Sequence, residues 1–112
     1  MTEITFYRDN GIYTGFKAEG HASFARRNKD IVCAAISALT QTTVNSLDEI
    51  NHEDIEVATD DGLLIFNLKS NKEPSSQILL QSLYLGLEGI SKEYGTKYCK
   101  VVIKEEETYV KA

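Results

Sequence analysis

The chain has 112 residues, 42% of them hydrophobic and 26% charged, with 12 Lys and Arg against 17 Asp and Glu for a net charge of −5. That length suits one domain over residues 1–112 with one real core; the composition excludes wholesale disorder, and the acidic balance argues against a phosphate-binding surface and direct nucleic-acid contact. Two cysteines are too few for a disulfide scaffold, no run approaches 18 apolar residues, and residues 1–6 lack a signal peptide's basic start, so a cytoplasmic protein with reduced thiols and no membrane contact is expected.

Ile4 and Phe6 alternate with Thr5 and Tyr7, which predicts a half-buried strand ending at Asp9-Asn10-Gly11, a hairpin turn signal. The return strand runs from Ile12 to Glu19 and into Gly20-His21. Residues 22–29 follow neither period and read as a loop carrying Arg26, Arg27 and Lys29. From Asp30 onward Ile31, Val32, Ala35, Ile36, Leu39, Val44, Leu47 and Ile50 recur at helical spacing, with Asp30 as a good N-cap. Ile55–Thr59 and Leu63–Leu68 flank Asp60-Asp61-Gly62, a second hairpin signal. A second helix starts at Pro74 and runs through Leu79, Leu80, Leu83, Leu87 and Ile90 to a stop near Gly95. Gly86 and Gly89 inside it cost helix stability, so they imply close packing against the sheet or a partner chain. Cys99–Lys104 closes the chain as a strand, before the acidic run Glu105-Glu106-Glu107.

The order β-β-α-β-β-α-β predicts an α+β fold: a two-layer domain with its helices packed on a mostly antiparallel sheet. Strand order does not follow from this pattern.

Chemistry concentrates at Gly20-His21-Ala22 and Asp30-Ile31-Val32-Cys33-Ala34-Ala35-Ile36-Ser37. A thiol is a useful nucleophile as thiolate, and helix N-termini and neighbouring imidazolium both favour that form. With Asp30 as cap, Cys33 falls in the first helical turn, and the loop is long enough to bring His21 to face it. An imidazole there can take the thiol proton and deliver it to a leaving amine, while first-turn N–H groups help to hold an oxyanion. The plainer readings stand beside this one: Cys33 as an inert core residue and His21 as a turn residue. Asp30 is either only a cap or also a group that orients His21. Ser37, one helical turn after Cys33, either donates a hydrogen bond in the site or packs as a small residue.

These two motifs resemble the signature of the ribosomal-processing cysteine protease family (Prp), and the likeness extends over essentially the whole chain. The resemblance implies a small cytoplasmic homodimer that removes an N-terminal extension from large-subunit ribosomal protein twenty-seven. His21 is then the general base and Cys33 the nucleophile, with no cofactor. The family loop commonly has glycine two positions before the Asp, where this chain has Asn28; Asn tolerates left-handed angles better than most residues. A peptide substrate needs an apolar groove beside the dyad. Gly20 adjoins it, and Phe24 is either a wall of that groove or tucked into the core. Arg26, Arg27 and Lys29 either meet the substrate or form a solvated face.

Elsewhere Cys99 reads as strand core and His52 as a solvated turn residue. A zinc site from His21, Cys33, His52 and Cys99 lacks any ligand-pair spacing, so no metal is expected. Two other functions compete with the protease: a non-catalytic ribosome-assembly module that binds protein, and a direct binder of ribosomal RNA, which the net charge opposes.

Overall fold

The computed structural model describes residues 1–26 and 29–105, so the expectations for Arg27, Asn28, Glu106 and Glu107 lie outside the described residues. The elements are β1 (Thr2–Asp9), β2 (Ile12–Gly20), α1 (Ile31–Asn45), β3 (Ile55–Asp60), β4 (Leu63–Leu68), α2 (Pro74–Tyr94) and β5 (Cys99–Glu105). A turn of π-helix, Ser46–Ile50, extends α1, so the helical stretch from Ile31 to Ile50 continues in a wider final turn.

Five strands form one mixed sheet in the order β3-β4-β2-β1-β5. The β1–β2, β2–β4 and β3–β4 pairs are antiparallel, and β5 lies parallel to β1. The fold is α+β, with both helices on the sheet, as the pattern of elements predicts. Asn10 (φ 54°) and Gly11 (φ 82°) are both left-handed at the β1–β2 turn. Two such residues give the turn a twist that matches the flanking strands. A bulge between Tyr7 and Arg8 shifts the register. Beside it the Gln77 side chain of α2 takes both backbone groups of Tyr13, accepting its N–H at 2.8 Å and donating to its carbonyl at 2.9 Å.

The core lies between the layers. Phe6 sits opposite Phe16, and Phe16 opposite Phe66, across three adjacent strands. Their ring centroids are 5.7 and 5.3 Å apart, a cross-strand ladder in which all three rings are fully buried. Val32, Ile36 and Leu47 from the first helical stretch and Leu80, Leu83 and Leu87 from α2 close over it. Gly86 faces α1 rather than the sheet: a Cβ there would stand 3.1 Å from Leu39 Cδ1. Gly89 has open space around it.

Two helix starts are built by carboxylates. Asp30 caps α1. The start of α2 is held by Glu53, which was not foreseen: it is buried and accepts the N–H groups of Lys72 and Glu73 at 2.9 Å and the hydroxyl of Ser76. Burial pushes the Glu53 carboxyl up, but the Ser76 hydroxyl and those two N–H groups outweigh it and leave it below the usual carboxylate range.

Candidate active site

The end of β2 and the start of α1 meet at one groove. Gly20 ends β2 with φ 97°, and a Cβ there would lie 2.3 Å from the Met1 carbonyl oxygen, so only glycine fits. The chain leaves the sheet at this point and presents His21, whose side chain is about half exposed (47%). On the opposite side, Cys33 sits half-buried in the first turn of α1.

Asp30 joins the loop to that turn. One carboxylate oxygen accepts the Cys33 N–H at 2.9 Å, and the other accepts Phe24 N–H at 3.0 Å and Ala25 N–H at 3.5 Å. Burial alone would raise this carboxyl. The N–H groups of Cys33, Phe24, Ala25 and Val32 reverse that and set it below the ordinary carboxylate value. Its backbone carbonyl also accepts the Ala34 N–H at 3.1 Å. The Cys33 and Ala34 N–H groups are therefore already drawn to Asp30, which caps α1 by geometry.

A different carboxylate stands by the imidazole: Asp61 Oδ1 is 3.7 Å from His21 Nε2. Asp61 belongs to the β3–β4 turn, legible as a turn but not as a neighbour of His21. That neighbourhood depends on β4 lying beside β2, a pairing no local pattern encodes.

His21, Cys33, Asp30, Ser37 and Gly20 all line the same groove, of about 910 Å³, which runs between α1 and the β3–β4 hairpin. Ile36, Val44, Val57 and Leu64 give it apolar surface, and Thr40, Gln41, Asn45 and Thr59 give it hydrogen-bonding groups. Such a mixed groove can take a peptide segment, whose backbone needs polar partners and whose side chains need apolar ones. Phe24 is not part of this lining. Its ring packs edge-on against Tyr94 and Tyr98, with centroids 5.4 and 5.1 Å away.

The second thiol is of another kind. Cys99 is fully buried, its sulfur 3.9 Å from the Leu87 carbonyl, and burial pushes the thiol up. His52 is exposed at a left-handed position (φ 53°). Among the described residues no three His, Cys, Asp or Glu side chains are grouped to hold a metal ion.

A family model described as cysteine protease Prp matches residues 1–100. The chain is 28% identical over 102 residues to the ribosomal processing cysteine protease Prp of Bacillus subtilis, covering 84% of this chain and 90% of that protein. It is 31% identical over 88 residues to the protein of the same name from Staphylococcus aureus, covering 77% and 83% of the two. Its fold also matches the crystal structure of the essential ribosomal processing protease Prp from S. aureus in complex with a covalently linked product peptide. That match has a TM-score of 0.87 at 25% identity, over 93% of this chain and 100% of the other.

Proposed function

The chain belongs to the cysteine protease Prp family, and we propose that within it this protein removes the N-terminal extension of large-subunit ribosomal protein twenty-seven, with Cys33 as nucleophile and His21 as general base. The observation that carries this reading is the shared groove: a half-buried thiol in a first helical turn and a half-exposed imidazole from a strand end line one peptide-sized cleft. The B. subtilis and S. aureus relatives, named as ribosomal processing proteases, support a ribosomal substrate.

In the reaction, the thiol proton passes to the His21 ring and the sulfur attacks the scissile carbonyl carbon. The resulting oxyanion needs donors other than the Cys33 and Ala34 N–H groups, both held by Asp30. The exposed Ser37 hydroxyl, on the same groove, is the donor this reading assigns. The imidazolium then protonates the leaving amine, leaving an acyl-thioester that water hydrolyses with His21 again as base. Gly20, which must be glycine to clear the Met1 carbonyl, sets where the chain leaves the sheet and presents His21 to the substrate. Phe24, held by Tyr94 and Tyr98, extends apolar surface beyond the groove itself. The protein so proposed is a single protease domain over residues 1–112, acting as a homodimer in the cytoplasm without cofactor, membrane or nucleic-acid partner.

The test is cleavage of a peptide spanning the extension junction. Cys33→Ala and His21→Ala should each abolish it while leaving the thermal unfolding transition cooperative. Full activity in either variant refutes the dyad.

A further inference from the structure

Besides its ladder pairings, the strand end that carries His21 is tied to the β3–β4 turn. The Gly20 N–H donates to the Gly62 carbonyl at 2.8 Å, which brings the backbone of the β3–β4 turn beside the imidazole. Gly62 has φ 66° and offers the ring no side chain. A Cβ there would stand 3.0 Å from His21 Nε2, 3.4 Å from Cδ2 and 3.5 Å from Cε1. The ring thus rests against bare backbone, and the preceding residue sets Asp61 Oδ1 3.7 Å from the same nitrogen.

We infer that the Asp61-Gly62 turn positions the base: Gly62 is the seat of the imidazole and Asp61 its charge partner at Nε2, which leaves Nδ1 to take the Cys33 proton. This rests on the dyad reading and names how that site is ordered. An imidazole on an exposed strand end is otherwise free to turn about two side-chain bonds, and small misplacements of a reacting group cost rate steeply. When the thiol proton moves to the ring, a thiolate–imidazolium pair forms, and a carboxylate at the far nitrogen favours that state. Among the described residues, the other titratable groups on this part of the groove are Cys33, Asp30 and Asp60. Asp30 accepts backbone N–H groups of α1 and the loop, and Asp60 Oδ1 accepts the Asp61 N–H at 2.8 Å. Asp61 is therefore the carboxylate in contact with the ring. Both side chains are well exposed, so solvent screens the pair and the charge effect is modest.

The experiment is the rate of Cys33 alkylation by iodoacetamide at neutral pH, a small uncharged probe that does not depend on peptide binding. Asp61→Asn should slow it roughly two- to fivefold, the range of an exposed ion pair, and Asp61→Glu should recover much of the loss. Gly62→Asn keeps a residue that tolerates the left-handed turn but adds the Cβ, and should slow alkylation roughly tenfold or more. Gly11→Asn is the control for turn strain alone, because Gly11 is also left-handed (φ 82°) but has nothing within 4 Å of its Cβ position; its rate should equal wild type. A wild-type rate in Asp61→Asn or Gly62→Asn, with His21→Ala slow, overturns this assignment and leaves the dyad intact. A wild-type rate in His21→Ala overturns both.

Discussion

Asp30 and Glu53 do similar work at the two helix starts: Asp30 takes a first-turn N–H left without a helical partner, and Glu53 takes the N–H groups of the two residues that lead into α2. Asp30 gathers N–H groups from a loop and a first turn, and Glu53 gathers those of Lys72 and Glu73 just before α2 with the Ser76 hydroxyl of its first turn, so each fixes an approach angle as well as a helix end. Asp30→Ala should lower stability by about 1 kcal/mol through loss of the cap, read as a shift in the urea midpoint. Glu53→Gln turns an amide N–H₂ toward buried donors and should cost about 1–3 kcal/mol. Both carboxyls lie below their ordinary range when folded. The unfolded chain therefore binds protons first as pH falls, and this stability is full above the ordinary carboxylate range and is lost below about pH 4. Urea titrations at pH 7 and pH 3 check this: wild type should lose more between them than Glu53→Gln. The two thiols separate by the same local logic. Iodoacetamide near neutral pH should label Cys33 and spare the fully buried Cys99 in the native chain, as mass spectrometry of the labelled peptides would show.

The elements differ in how far local chemistry specifies them. Asn10-Gly11 and Asp61-Gly62 mark both hairpins, and Pro74 and Gly95 bound α2, because a left-handed turn and a missing N–H restrict which residues fit. Asp30 was legible as the α1 cap for a similar reason. Nothing local, however, placed β4 against β2 or β5 parallel to β1. Everything that depends on those pairings was hidden, including the contact of Asp61 and Gly62 with His21. Glu53 escaped notice because a carboxylate in a polar connection looks solvated until the start of α2 closes over it. Phe24 reads two ways from sequence because its partners Tyr94 and Tyr98 lie some 70 positions away, beyond any periodic pattern. The two α2 glycines show how context decides the same substitution. Gly89→Ala should stabilise by about 0.5–1 kcal/mol, since the added methyl meets nothing. Gly86→Ala should gain less or lose, because its Cβ presses on Leu39. Thermal melts of the two variants would rank them directly.

For the molecule as a whole, the acidic balance bears on its partner. A net charge of −5, with Asp60 and Asp61 at the groove, favours approach of a cationic chain such as a ribosomal protein and disfavours bare RNA. Steering of this kind is screened within about 10 Å at 0.1 M salt. Cleavage of a basic precursor at low substrate concentration should therefore slow as salt rises, while alkylation of Cys33 by uncharged iodoacetamide should change far less. Equal salt dependence in the two assays would remove charge steering from the account. The central claim, that the Cys33–His21 groove cleaves a ribosomal precursor, is tested most directly by incubating the full chain with extended ribosomal protein twenty-seven and locating new N-termini by mass spectrometry. One new N-terminus at the extension junction is expected, absent with Cys33→Ala and with His21→Ala. An intact precursor, or the same product from the Cys33→Ala chain, would contradict it.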